Sequence, residues 1–372
     1  MRKAVAYLPL HYGRAPRWLF EKMRELAQKI TIIIIEEFGA EDFLRKLSDP
    51  AWFQALGCVL GFDWHSSGLT TTVCGALKEG LRGLEKDLDL FVAGGKGRVS
   101  RKTPEEIVRF GDRFSIESDP LVYASRMSAK VDNTALQDGY QLYHHTFFFT
   151  SSGKWAVIQQ GMNPDNQWAR RYHWLAEKME DFVCEPHTGI ICDHKSQPLN
   201  MVARESSEAR ETSVRLSKEK PEEVVKELKK LQTLTLPRRH EILVADIRPE
   251  NLHKILCKTY ERQPEKFETL LGIQGVGSKT VRALALISDL VYGSEVSWKD
   301  PVRYSFAHGG KDGTPYPVDR DGYERSLEIL KKAINSAKIG DRRKLEAIRR
   351  LLKYGEGYST SHGLLSSDLS SD

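Results

Sequence analysis

The chain alternates between segments whose apolar residues recur at helical spacing and short runs that are apolar throughout. Trp18, Leu19, Met23, Leu26 and Ile30 fall three to four apart or side by side, which predicts an amphipathic helix over 17–30. Ile30-Thr31-Ile32-Ile33-Ile34-Ile35 follows; it is β-branched, is stopped by Glu36-Glu37, and predicts a buried strand. Residues 49–81 read as largely helical, opened by Asp49-Pro50 as cap and first turn. Thr103-Pro104-Glu105-Glu106 predicts a further helix start, with Thr103 as N-cap and Glu106 completing a capping box. The runs Tyr143 to Thr150 and Trp155 to Gln159, joined by Ser151-Ser152-Gly153-Lys154, predict a β-hairpin within 139–160. Residues 205–232 are charged with few large apolar positions, as in a solvated connecting helix. Residues 233–357 are helical in pattern, and the Ser-rich end, 358–372, predicts a disordered tail. The expected fold class is therefore an α/β (α+β) N-terminal domain over 1–204, a connector over 205–232, and an all-α helix-hairpin-helix domain over 233–357.

Composition adjusts this picture in two ways. The 372 residues carry a net charge of +5, with 40% hydrophobic and 29% charged residues, as in a soluble globular protein. Residues 201–350 hold 30 Lys and Arg against 23 Asp and Glu, an excess of seven that favours a polyanionic partner for the C-terminal half. Cys58, Cys74, Cys184, Cys192 and Cys257 are scattered and odd in number, which argues against a disulfide framework and for a cytoplasmic setting. They also form no iron–sulfur cluster pattern. No apolar run approaches the length of a membrane span, so no membrane partner is expected.

The sharpest motif lies between two predicted helices, Pro264–Leu271 and Ser278–Ser288. It reads Leu271-Gly272-Ile273-Gln274-Gly275-Val276-Gly277-Ser278-Lys279-Thr280. Glycines permit positive φ and leave the backbone bare. Bare N–H groups at a helix start form an anion site, to which Lys279 adds charge. Gly275, Gly277, Ser278, Lys279 and Thr280 are thus candidates to hold a DNA phosphate without reading bases. Such a grip does not read the sugar, so RNA stays open as a second polymer. This segment resembles the helix-hairpin-helix of the base-excision DNA glycosylases. That resemblance implies Lys279 as a Schiff-base lysine and Asp319, in the pair Val318-Asp319, as its catalytic carboxylate, here 40 residues away.

The N-terminal part carries most of the remaining chemistry. His11-Tyr12-Gly13-Arg14-Ala15-Pro16, Gly61-Phe62-Asp63-Trp64-His65-Ser66-Ser67-Gly68, Ser125-Arg126-Met127-Ser128-Ala129-Lys130-Val131-Asp132 and Gln137-Asp138-Gly139-Tyr140-Gln141-Leu142-Tyr143-His144-His145 make the chain similar to the prokaryotic domain-of-unknown-function family 763 over nearly its whole length. Read directly, Asp63, His65, Lys130, Asp132, Asp138, His144 and His145 are candidate catalytic residues. Carboxylates with histidines suit a divalent metal, Mg or Mn, with Asp132, Asp138 and His144 as ligands. Lys130 would stabilise charge on a phosphorane. Adjacent His144 and His145 on a strand point to opposite faces.

Phe91 to Lys102 is a glycine-rich basic loop. Gly94-Gly95-Lys96-Gly97 lacks nucleotide P-loop spacing, so no nucleotide cofactor is expected, and Lys96, Arg98, Arg101 and Lys102 become candidate backbone contacts. Arg170 and Arg171 join them. Cys184, His187, Cys192 and His194 are possible zinc ligands in a spacing that matches no common site. Trp155, Trp168 and Trp174 suit core packing better than base stacking.

Three functions fit: a metal-assisted, repair-type nuclease anchored by the hairpin, a glycosylase or abasic-site lyase using Lys279 and Asp319, and a non-enzymatic DNA-binding or architectural protein.

Overall fold

The computed structural model describes residues 17–62, 67–192, 194–236, 243–302, 320–336, 344 and 347–349. The chain opens with four helices: α1 (Arg17–Phe38), α2 (Ala40–Ser48), α3 (Pro50–Leu60) and α4 (Gly68–Gly80). The predicted strand at Ile30–Ile35 is the C-terminal part of α1. Ile30, Thr31 and Ile34 are buried at helical spacing against the other helices, so packing overrides the β-branched preference. Asp49 caps α3 as expected, accepting from the N–H groups of Ala51 and Trp52.

Next come β1 (Phe91–Lys96), a 3-10 turn (Gly97–Lys102), α5 (Thr103–Phe114), α6 (Asp119–Lys130), a π turn (Val131–Ala135) and β2 (Leu136–Gln137). The capping box at α5 does not form. Thr103 donates to the Ser100 carbonyl, while Glu106 accepts from Lys78 Nζ at 2.6 Å and the Gly94 N–H at 2.7 Å. The predicted hairpin is present as β3 (Gln141–Phe149) and β4 (Trp155–Asn163), followed by β5 (Trp168–Leu175), β6 (His187–Ile191) and β7 (Leu199–Asn200). β1, β3, β4, β5 and β6 form one antiparallel sheet in the order β1-β3-β4-β5-β6.

Helices follow: α7 (Ser207–Ser217), α8 (Pro221–Thr233), α9 (Pro249–Arg262), α10 (Phe267–Gly272), α11 (Ser278–Leu290) and α12 (Arg320–Ser336). They explain why the strands are apolar on both sides. One sheet face, with Phe147, Val157 and Trp174, packs on α5 to α11. The other, with Phe148, Ile158 and Leu175, packs on α1 to α4 and α12.

The expected solvated connector differs from this arrangement. Ala209, Val214 and Leu216 of α7 and Val224, Leu228 and Leu231 of α8 are buried in the same core as the sheet. No helix among the described residues is long and apolar enough to cross a membrane.

Candidate functional site

Strand alternation sorts the predicted polar residues onto two faces. His145 and Gln159 are cross-strand partners, as are His144 and Gln160, and the two pairs lie on opposite faces. On the face toward α6 and α11, Asp132 is fully buried at the π turn. Its Oδ2 accepts from Gln159 Nε2 at 2.6 Å and Trp174 Nε1 at 3.0 Å, and its Oδ1 meets His187 Nε2 at 2.5 Å. Because the Gln159 amide donates to Asp132, its carbonyl oxygen must accept from His145 Nδ1, 2.8 Å away. That fixes neutral His145 with its lone pair on Nε2, which accepts from Ser125 Oγ at 2.9 Å. Burial likewise holds the His145 pKa below its ordinary value, against the raising influence of Gln159 and Asp132.

Asp138 lies on the same face. Its Oδ2 accepts from Arg170 Nη1 at 3.0 Å and the Tyr172 hydroxyl at 2.7 Å, and its Oδ1 from the Tyr140 N–H. Arg170 also donates to Asp300 Oδ2 at 2.8 Å and to the His194 carbonyl at 3.1 Å. Burial opposes the guanidinium charge, but Asp138 and Asp300 hold its pKa well above the ordinary value. Burial pushes the Asp138 carboxyl upward, with Arg170, Tyr172 and Tyr140 pulling against it.

Both networks meet one cleft of about 230 Å³. His187, the partner of Asp132, and Asp300, the partner of Arg170, line it, together with Glu185, Asn200, Glu205 and Lys299.

The five predicted catalytic residues that the structure describes, Lys130, Asp132, Asp138, His144 and His145, do not all converge on one point. Asp132, Asp138 and His145 share a sheet face but are engaged by protein donors and acceptors. His144 lies on the other face, where its Nε2 meets Thr146 Oγ1 at 2.9 Å, so it is not placed to share a metal with Asp132 and Asp138. Burial lowers the His144 pKa to about 3, with His145 and Lys96 adding repulsion. Lys130 ends α6 half-buried, and that burial lowers its pKa. Asp63 and His65 lie outside the described residues, and so does Asp319. Among the described residues no group of three or more His, Cys, Asp or Glu is arranged to hold a metal ion.

The possible zinc ligands are also dispersed: His187 is bound to Asp132, and Cys192 Sγ sits 3.2 Å from the Tyr140 hydroxyl. Arg170 and Arg171 are wholly buried on opposite faces, Arg171 donating to Gln54 Oε1 at 2.9 Å, so neither reaches a surface phosphate. Trp155 and Trp174 are core residues.

The candidate backbone contacts that reach solvent lie in two turns. Lys96, at the end of β1, and Arg98, Arg101 and Lys102, on the 3-10 turn that follows, are exposed. Between α10 and α11, Ile273 and Val276 are buried while Gln274, Gly275 and Lys279 face solvent. Gly275 has φ +101, and Lys258 Nζ lies 3.9 Å from where its side chain would begin. Lys279 Nζ is 3.1 Å from Asp246 Oδ2. Gln137 anchors this turn, donating to the Ser278 carbonyl at 2.8 Å and accepting from Arg282 Nε at 2.8 Å. Gln137 lies in β2, which leads into the start of β3.

Sequence reasoning read His187 only as a possible zinc ligand and Trp174 only as a packing residue, gave neither Trp174 nor Tyr172 its bond to Asp132 or Asp138, and missed Asp300 altogether. The alternation of Tyr172 and Trp174 with Arg171 and His173 was the available signal. Asp300 had none, because its role depends on a contact 130 residues distant.

A family model described as "Protein of unknown function (DUF763)" matches residues 4–318. No curated protein and no solved structure matches the chain. With most of its length matched, the chain belongs to the domain-of-unknown-function family 763.

Proposed function

We propose that this protein binds the phosphate backbone of DNA through the turn between α10 and α11. The observation that carries this reading is a solvent-facing glycine turn that opens a 13-residue helix, with Lys258 and Lys279 beside it. Backbone N–H groups at a helix start favour anions, and two ammonium groups reinforce them. Buried Ile273 and Val276 anchor the turn in the core beneath it. The exposed cations at the end of β1 and on the 3-10 turn offer a second basic surface.

The geometry favours binding over metal-assisted cleavage by Asp132, Asp138 and His144. Two of these are locked in protein hydrogen bonds, and the third faces away. The lyase reading draws support from Lys279 alone, and that amine is paired with Asp246.

Fluorescence anisotropy on two duplexes of unrelated sequence tests the proposal. The expected result is comparable Kd values on both, on the order of 10⁻⁴–10⁻⁶ M at physiological salt. No binding at low salt, or a large preference for one sequence, contradicts it.

A further inference from the structure

Helix α9 (Pro249–Arg262) carries a half-buried thiol beside a base, outside the cleft over the sheet. His253 and Cys257 are four residues apart, so they share one side of the helix. They lie next to the stripe Leu252, Leu256 and Thr259 that α9 buries in the core. Cys257 Sγ is 3.7 Å from His253 Nδ1. On the other side of the ring, His253 Nε2 is 3.0 Å from Oε1 of Glu222, in the first turn of α8. Nucleophile, base and carboxylate thus stand in line, with the imidazole between the other two.

This order fixes one ring proton. The hydrogen bond from His253 holds the Glu222 carboxyl below its ordinary pKa, so it is ionised and only accepts. Nε2 therefore carries a proton whether the ring is neutral or charged. Nδ1 is left either to accept the thiol proton or to donate to the thiolate, and both states serve a nucleophilic sulfur. The two ring nitrogens face different partners, so the three groups do not converge on a metal ion; no such group of three exists among the described residues.

The other cysteines separate chemistry from exposure. Cys184 is also half-buried, but its hydrogen bond is a backbone one, from its N–H to Asp181. Cys58, Cys74 and Cys192 are buried. The His253 and Glu222 side chains are 39% and 69% exposed, and an exposed pair contributes little to stability, so substitutions there leave the fold in place.

We propose that Cys257 is a modification site that forms mixed disulfides with small organic disulfides, with His253 as its base and Glu222 as the residue that positions the ring. Sγ attacks one sulfur of the disulfide, and the new Sγ–S bond forms as the old S–S bond breaks. The thiol proton passes to His253 Nδ1 and from there to the departing sulfur, which leaves as a thiol. Cys257 is oxidised while the departing half of the disulfide is reduced, so no further oxidant is needed.

Incubating the full chain with glutathione disulfide, and following each cysteine by peptide mass spectrometry, tests the proposal. The expected result is an adduct on Cys257 at least tenfold faster than on Cys184. His253→Gln should slow the Cys257 reaction at least tenfold and leave Cys184 unchanged. Glu222→Gln should slow it at least threefold, and nitrogen-resolved NMR should show a proton held on His253 Nε2 in the parent but shared between both ring nitrogens in that variant. Equal rates at Cys257 and Cys184, or a Cys257 rate unaffected by His253→Gln, overturns the proposal. A His253 ring unchanged by Glu222→Gln overturns the role of Glu222.

Discussion

Arg170 sits wholly buried between Asp138 and Asp300, and its worth depends on both partners being present. Removing a buried charge leaves its counter-charges uncompensated, which costs more than the pair contributes. Arg170→Met should therefore destabilise the fold by about 3–5 kcal/mol in urea denaturation. Adding Asp138→Asn to that variant should recover part of the loss, because one orphaned carboxylate is then neutral. A double variant less stable than Arg170→Met alone contradicts the account. The doublet Arg170-Arg171 shows why this was illegible in the sequence: two adjacent arginines read as a basic surface patch. Strand alternation sends them to opposite faces, and both faces are covered by helices.

At the scale of elements, features set by neighbours in the chain were legible and those set by distant packing were not. The Asp49 cap and the hairpin around Gly153 follow from local turn and cap chemistry. The strand expected at Ile30–Ile35 is helical because its contacts come from other helices. Glu106 leaves its capping box because Lys78 and Gly94 offer better partners. The glycine-rich segment after Phe91 looked like a phosphate loop, yet Gly94 serves the sheet. Its φ is +91, and a side-chain carbon there would lie 2.2 Å from the His145 carbonyl oxygen. Backbone does not yield to relieve that clash, so Gly94→Ala should separate the β1 edge from β3. Hydrogen exchange should rise in β1 while the β4–β5 pairing stays protected; unchanged exchange at β1 contradicts this reading.

The sheet is covered on both sides, and the whole molecule thereby acquires a pH dependence. Burial holds His144, His145 and His173 below their ordinary pKa values, His144 at about 3; repulsion from His145 and Lys96 adds to the effect at His144, and Arg171 lowers His173 further. Folded, they stay neutral; unfolded, they take up protons below about pH 6.5. The unfolded state then binds more protons, so stability is full above that pH and falls as pH drops toward 3. Each such histidine contributes at most about 1.4 kcal/mol per pH unit in that window. A thermal midpoint that declines from pH 7 to pH 5, less steeply in His144→Gln, is the expected outcome. A flat midpoint over that range would show that these rings titrate normally.

Also at this scale, the molecule presents its bare glycine turn and its basic 3-10 turn to solvent, while the buried carboxylates stay within the fold. Binding to DNA should then be electrostatic, with affinity falling as salt rises. The most direct test is the slope of log K against log salt for duplex DNA, compared between the parent and Lys258→Ala with Lys279→Ala. Each phosphate contact contributes about 0.9 to that slope, so the double variant should bind more weakly and lose up to about 1.8 from it. Parent and variant with equal affinity and equal slope would contradict the backbone grip.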